Sequence, residues 1–232
     1  LKENFQKAHI VIIGSGIIGK FNALELSELG FQITIIDPAE HKNSSTAALG
    51  LLMGNMYQKR KGRSWDLRKH SIELWPKWIK LLQKFNYELK INKPLIQLTT
   101  NEEKFKKLEK FIYENNVLNL QIIERESILI KNINQAFQTK NIKGIISFDD
   151  GRIDATSLLK TLDKYLKNKK INFINEEIVK IRKLNNQWSS TTINNINIKS
   201  DIVILCNSLK AVDLIDYLSH NIRLKPVLGQ AI

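Results

Sequence analysis

HIVIIGSGIIG, residues 9–19, and GFQITIID, residues 30–37, predict a strand, a glycine-rich turn, a helix and a second strand. The run His9–Ile13 is short and continuously apolar, which is typical of a strand buried on both faces of a parallel sheet. Apolar residues at helical spacing follow the turn, and Gly30 is placed to end the helix. This βαβ opening predicts an α/β fold, with a Rossmann-like parallel sheet that binds a nucleotide such as FAD or NAD(P).

The three glycines of the turn have the spacing of a dinucleotide-binding site. Gly14 makes the tight turn, Gly16 lets the backbone approach a pyrophosphate, and Gly19 lets the helix pack against the strand. The helix that begins near Ile17 offers unsatisfied N–H groups and the positive end of its dipole to phosphate. Asp37 closes the second strand, where it is placed to accept a hydrogen bond from a ribose hydroxyl and to disfavour the 2′-phosphate of NADP.

Composition excludes several classes of protein. The 232 residues are 43% hydrophobic and 25% charged, which is typical of a globular chain with a core. No apolar run approaches the roughly 20 residues that span a bilayer. A single cysteine, Cys206, excludes internal disulfides and cysteine-cluster metal sites, and the four histidines lack metal-ligand spacing. We therefore expect no metal, no membrane span and a cytoplasmic location.

The net charge of +13 is compatible with nucleic acid or with a phosphate-bearing cofactor. Lysines are spread along the whole chain, and no aromatic residues interleave with a basic stripe, so a nucleic-acid partner is not expected. Residues 14–20 also spell GxxxxGK, the core of a P-loop. Phe21 stands where that loop needs Ser or Thr to bind Mg²⁺, so nucleoside triphosphate hydrolysis is disfavoured.

The rest of the chain predicts two interleaved domains. A helix over about residues 64–85 carries two apolar stripes, which predicts burial on two sides. Strands at 95–99 and 120–123 flank a predicted helix at 101–115, and residues 126–132 are expected to be helical or irregular. The parallel sheet resumes near residue 145 with a strand at 144–148, and a later meander through Val179, Ile181 and Trp188 predicts a small antiparallel sheet. We assign residues 1–85 and 145–208 to a cofactor-binding domain. Residues 86–144 and 209–232 are assigned to a smaller α+β substrate domain.

The connection at residues 39–63 favours FAD over NAD. Connections of this length are uncommon in compact domains and are usually functional. Its small residues Ala47, Ala48 and Gly50 would let the backbone lie against a flat ring system. Residues 226–232, PVLGQAI, predict an opening strand, so we expect this chain to be the N-terminal part of a longer protein.

These residues resemble the D-amino acid oxidase superfamily of FAD-dependent oxidoreductases, and most of all its glycine oxidase branch. The specific stretches are the dinucleotide motif with Asp37, and STAALGLL at residues 45–52. Further stretches occur in the family's order: His70-Ser71 in the long helix, DGRID at 150–154, and PVLGQ at 226–230.

The resemblance implies a set of FAD-binding residues. Those around the pyrophosphate are Gly14, Gly16, Ile17, Ile18 and Gly19. Those along the phosphate and the flavin ring are Ser45, Thr46, Ala47, Gly50 and Leu51. Asp37 would bind the adenosine ribose, and the backbone of Val179 would meet adenine.

The implied reaction is oxidation of the C–N bond of glycine, a D-amino acid or a secondary amine by hydride transfer to flavin. Oxygen or another acceptor then reoxidises the flavin. The family's substrate-carboxylate arginine lies beyond Ile232, so no catalytic residue is assigned. The chain departs from the family's pattern at two places. Cys206-Asn207-Ser208 stands where the family usually has small residues and a glycine beside the cofactor, and Leu228 stands where the closing motif PVLGQ usually has a basic residue. A tRNA wobble-uridine modification enzyme and a noncatalytic flavin-binding module remain alternatives, and a homo-oligomer is left open.

Overall fold

The computed structural model describes residues 8–39, 43–115, 119–124, 142–215 and 224–226. The chain forms two compact units. Unit 1 consists of Leu1–Ala48 and Ala155–Ile232, and unit 2 is Leu49–Asp154. These boundaries differ from the predicted divisions at residues 85, 145 and 208. The functional assignment of the two domains stays a prediction.

The elements follow one another in this order along the chain. Unit 1 begins with β1 (His9–Ile13), α1 (Ile17–Glu28) and β2 (Gln32–Ile36). Unit 2 contains β3 (Leu51–Leu52), α2 (Arg63–Leu82), β4 (Leu95–Thr99), α3 (Glu102–Asn115), β5 (Leu120–Ile123), β6 (Lys143–Ser147) and β7 (Gly151–Arg152). Unit 1 then resumes with α4 (Ala155–Asn168), β8 (Asn172–Ile174), β9 (Ile178–Leu184), β10 (Gln187–Thr192), β11 (Asn197–Ser200), β12 (Ile202–Leu205), a 3₁₀ turn (Ser208–Lys210) and α5 (Ala211–Ile215).

Unit 1 contains the predicted parallel sheet. Its strand order is β12–β1–β2–β8, and all neighbours run parallel. At the centre, Ile12 lies opposite Ile35 on one side and Ile204 on the other. Ile12 and Ile35 are fully buried, as expected for apolar strands covered on both faces. The predicted α/β fold with a parallel sheet is confirmed.

A second sheet of unit 1 is the antiparallel meander β11–β10–β9, which the sequence also predicted. Ile178 and Ile181 of β9 pack into one core cluster with Val11, Ile36 and Leu214. The meander is therefore joined to the parallel sheet through shared side-chain packing.

The helices α1 and α4 of unit 1 are linked by polar side chains as well as by packing. Lys20 of α1 forms an ion pair with Asp163 of α4, and the Tyr165 hydroxyl donates a hydrogen bond to Glu28. Burial and this hydrogen bond raise the pKa of Tyr165. The phenol is therefore neutral in the folded chain at physiological pH.

Unit 2 is built on the antiparallel sheet β4–β6–β5. The helix α3 packs against this sheet, and its buried residues Leu108 and Phe111 contact Ile145 of β6 and Met56. The predicted strands at 95–99 and 120–123 have the observed bounds, and the strand predicted at 144–148 lies at Lys143–Ser147.

The expectation that α2 is buried on two sides is wrong for the described residues. Only Leu82 of this helix is buried, and Leu67 is 73% exposed. Trp75 and Trp78 instead contact each other edge to face, at 5.5 Å between ring centroids. The helix also continues through Pro76 as one element. Two apolar stripes on a helix therefore did not imply two covering layers here.

Two predicted segments cannot be compared with the structure. The segment at residues 126–132 and most of the strand predicted at 226–232, including Leu228, lie outside the described residues. Among the residues that are described, no helix is long and apolar enough to cross a membrane.

Candidate functional site

The candidate site lies at the carboxyl ends of the parallel strands of unit 1. From β1 the chain moves to β2 and β8 on one side, and it later returns to the other side of β1 as β12. Such a reversal of strand order is where α/β sheets open a crevice for ligands. Gly14 follows β1 at this point, and Cys206 follows β12.

Gly14 is required here by two independent features. Its φ of +106° is one that L side chains rarely adopt. A Cβ atom on Gly14 would lie 2.6 Å from the carbonyl carbon and oxygen of Cys206 and 2.9 Å from the nitrogen of Asn207. The turn after β1 therefore packs directly on the backbone that follows β12.

The third glycine has the packing role that the sequence predicted. A Cβ atom on Gly19 would lie 1.9 Å from the carbonyl oxygen of Gly14. Only a glycine lets α1 approach the turn this closely, so the N-terminus of the helix points into the crevice.

Ser45 lies against this helix N-terminus. Its hydroxyl oxygen accepts a hydrogen bond from the Ile17 backbone N–H at 2.9 Å. A Cβ atom on Gly16 would meet the same hydroxyl at 3.0 Å. Ile18 is 62% exposed at this end of the helix. The first turn of α1 thus presents N–H groups and a hydroxyl together, which suits an anionic ligand.

Asp37 is held in position by the backbone. One carboxylate oxygen accepts from the Ser15 N–H at 2.7 Å, and the other accepts from the Ala39 N–H at 2.9 Å. Each carboxylate oxygen has about two acceptor positions. Asp37 therefore keeps capacity to accept hydrogen bonds from the hydroxyls of a ligand.

Two adjoining cavities of about 260 and 700 Å³ open at this edge of the sheet. They share Gly14, Asp37, Pro38, Asn207 and Lys210. The predicted residues in the lining of the larger cavity are Gly14, Gly16, Ile17, Ile18, Asp37 and Ser45. The predicted Val179 lines the smaller cavity.

The remaining predicted residues lie elsewhere. Gly19 is buried beneath the turn, and Thr46 and Ala47 belong to a turn whose backbone and side chains bond to Asn43. Gly50 and Leu51 belong to unit 2. The structure therefore brings together six residues around one cavity, and it does not assign these others to the same cavity.

In unit 2, the end of the stretch STAALGLL (residues 50–52) contacts the stretch DGRID (residues 150–154), and both stretches resemble the family. Gly50 has a φ of +72°, and a Cβ atom there would lie 1.9 Å from the carbonyl oxygen of Ile153. Leu51 pairs with Arg152 in the short sheet β3–β7. The buried carboxylate of Asp150 accepts from the backbone N–H groups of residues 54–56 at 2.6–3.0 Å. These contacts fix the connection that follows residue 49.

Asn207 and Lys210 line both cavities, and no sequence motif predicted a role for either residue. Lys210 forms an ion pair with Glu177 at 2.8 Å. The position of Asn207 after the last parallel strand was the available signal, because ligands bind at carboxyl ends of such strands. Cys206 lies beside them, and burial raises the pKa of its thiol, so it is protonated and a poor nucleophile.

The residues of this site fit a dinucleotide. The N-terminus of α1 lines the larger cavity beside Ser45, which suits a pyrophosphate. Asp37 has free acceptor positions for hydroxyls, and the buried carboxamide oxygen of Asn207 has no hydrogen-bond partner among the described residues. A ligand that combines anionic groups with hydroxyl donors matches all three features.

Comparisons with known proteins agree with this fit. The family model for FAD dependent oxidoreductases (DAO) matches residues 9–232. Among solved structures, the fold is similar to iminodiacetate oxidase from a Chelativorans species, with a TM-score of 0.76 and 17% identity over 90% of this chain and 57% of that one. Glycine oxidase from Bacillus cereus has a TM-score of 0.75 and 18% identity, with coverage of 91% and 59%.

L-proline dehydrogenase from P. horikoshii has a TM-score of 0.71 and 20% identity, with coverage of 94% of this chain and 57% of that one. The chain thus spans less than two thirds of the length of these structures. No curated protein sequence matches it. On the family match, the chain belongs to the FAD dependent oxidoreductases, a family that uses FAD as its cofactor.

Proposed function

We propose that this chain binds FAD and serves the oxidation of a C–N bond in a small amino acid or secondary amine. The observation that carries the proposal is the pair of joined cavities at the strand reversal of unit 1, lined by the glycine turn, Ser45 and Asp37. The family membership supports the same cofactor.

Each part of the site has a proposed role. The first turn of α1, with the Ser45 hydroxyl beside it, would hold the pyrophosphate by N–H donors and the helix dipole. Asp37 would accept from a ribose hydroxyl, and the backbone at Val179 would meet adenine. Thr46, Ala47, Gly50 and Leu51 remain proposed contacts of the flavin half.

Bound FAD would supply the hydride acceptor, and the amine would become an imine that water hydrolyses. A primary amine such as glycine would give an oxo acid and ammonia, whereas a secondary amine would give an oxo compound and a primary amine. The protein's own contribution is to position the reacting groups and to hold the cofactor. Glycine, sarcosine and small D-amino acids are the proposed substrates. The names of the similar structures add iminodiacetate and L-proline as compounds to test. The electron acceptor and the cytoplasmic location stay predictions.

Cofactor binding is tested by titrating the 232-residue chain with FAD and following the quenching of flavin fluorescence. We expect saturable binding that weakens by about 10- to 150-fold in Asp37→Ala, since a hydrogen bond to a charged acceptor contributes about 1.5–3 kcal/mol. The matched control is Asp66→Ala on the exposed first turn of α2, which is expected to bind as the wild type does. Absence of saturable binding by the wild type would refute the proposal.

The reaction is tested by adding each candidate amine without oxygen to the FAD-loaded chain and recording the visible spectrum. Bleaching of the flavin band by one amine supports the proposed oxidation and names the substrate. If the chain binds FAD but none of the amines bleaches the flavin band, the chain is a noncatalytic flavin-binding module and the proposed reaction is wrong.

A further inference from the structure

Asn207 has an unusual environment for a polar side chain. Its carboxamide oxygen is buried, and none of the residues that the structure describes forms a hydrogen bond with it. A buried acceptor without a partner is destabilising, and native proteins rarely keep one without a reason. Asn207 also lines both cavities of the candidate site, next to Gly14 and Asp37.

The backbone around Asn207 is held on both sides. The Cys206 N–H donates to the Ile13 carbonyl oxygen at 2.7 Å, and Gly14 packs on the peptide between Cys206 and Asn207. On the other side, Ser208 has a φ of +55°, in the left-handed region that favours glycine. The chain thus keeps a strained residue directly after Asn207. These contacts hold the Cα atom of Asn207 at the edge of the cavities.

The neighbours of Asn207 decide which ligand group its oxygen can meet. Asp37 is itself an acceptor, and the Lys210 ammonium is paired with Glu177. The phosphates of a dinucleotide carry no hydrogen to donate at neutral pH, whereas its sugar hydroxyls do. The adenine amino group and the flavin N3–H are donors as well, and we choose a hydroxyl because Asn207 lines the cavities together with Asp37, to which a ribose hydroxyl is assigned.

We propose that the Asn207 carboxamide oxygen accepts a hydrogen bond from a hydroxyl group of the bound dinucleotide. Asn207 is then a determinant of cofactor affinity in addition to the glycine turn and Asp37. The inference rests on the proposed function, because it takes FAD as the ligand.

The test separates binding from folding by using a substitution of similar shape. Asn207→Leu removes the unpartnered amide, so the thermal midpoint of the cofactor-free chain is expected to stay the same or to rise. The Kd for FAD is expected to rise about three- to tenfold, which corresponds to one hydrogen bond. Asn207→Ala, which adds no bulk, is expected to raise the Kd by a similar factor. Asn168→Leu at the exposed end of α4 is the matched control.

Three results would overturn the inference. One is a wild-type Kd in both Asn207 variants. Another is a higher Kd in Asn207→Leu alone, which would mean that the leucine blocks the cavity sterically. The last is a fall of both the thermal midpoint and the affinity for FAD in the Asn207 variants, which is the result expected if Asn207 only stabilises the fold. If the wild-type chain itself fails to bind FAD, the proposed function fails with it, and this result is distinguished by the unsubstituted titration.

Discussion

Replacing Gly14 with alanine tests the close approach on which the whole candidate site depends. The substitution forces an L side chain into a φ of +106°, which costs about 1–3 kcal/mol. It also places a Cβ atom 2.6 Å from backbone atoms of Cys206, and overpacking of this kind costs a further 1–3 kcal/mol or so. We expect Gly14→Ala to lower the free energy of unfolding by about 2–6 kcal/mol.

Gly30→Ala is the matched control. Gly30 also has a positive φ, +88°, but among the described residues no atom beyond Gly30 and its two chain neighbours lies within 4 Å of the position of its missing Cβ. This variant has the conformational cost alone, about 1–3 kcal/mol as for Gly14→Ala. The difference between the two variants therefore measures the contact between the turn after β1 and the backbone after β12.

The assay is urea unfolding of the wild type and both variants, followed by far-ultraviolet circular dichroism. Free energies come from the linear dependence on urea concentration, with the slope checked for constancy. We expect Gly14→Ala to be the less stable variant by at least about 1 kcal/mol. Equal stabilities of the two variants would refute the reasoning, because the strands would then not approach each other as described.

Three further predictions concern single residues. Ser208→Gly should raise the free energy of unfolding by about 1 kcal/mol, because glycine adopts a φ of +55° without strain; an unchanged urea midpoint would contradict this. Asp150→Asn should lower the free energy of unfolding by about 2–3 kcal/mol, because one of the two buried oxygens that accept from three backbone N–H groups becomes an NH₂ group that cannot accept. Asp149→Asn on the surface should cost less than about 1 kcal/mol in the same assay. Tyr165→Phe should cost about 1 kcal/mol at neutral pH. Since burial and Glu28 raise the pKa of Tyr165, its stabilising effect should be complete below about pH 10, the pKa of a free tyrosine, and should fall at higher pH. Unfolding midpoints of both proteins at several pH values, which should converge only in alkali, check that sign.

Local patterns were sufficient for much of the fold. The bounds of β1, β2 and β4 followed from short apolar runs between turn residues, and the three glycines identified the turn after β1. These features depend on neighbours within a few residues, which the sequence displays directly. The burial of α2 was not predictable in this way, because a pattern of apolar side chains states what a helix is able to bury and not what covers it.

The sequence by itself determined the βαβ opening, the dinucleotide motif and the residues that resemble an FAD-dependent oxidoreductase. Only the tertiary structure decided that β12 returns beside β1, which brings Asn207 against Gly14 across nearly the whole chain. It also decided that residues 50–52 meet residues 151–153, so that two motifs distant in the sequence form one contact. The physical reason is that strand order and close approach depend on which surfaces bury each other after the chain has folded, and this information is shared among residues far apart.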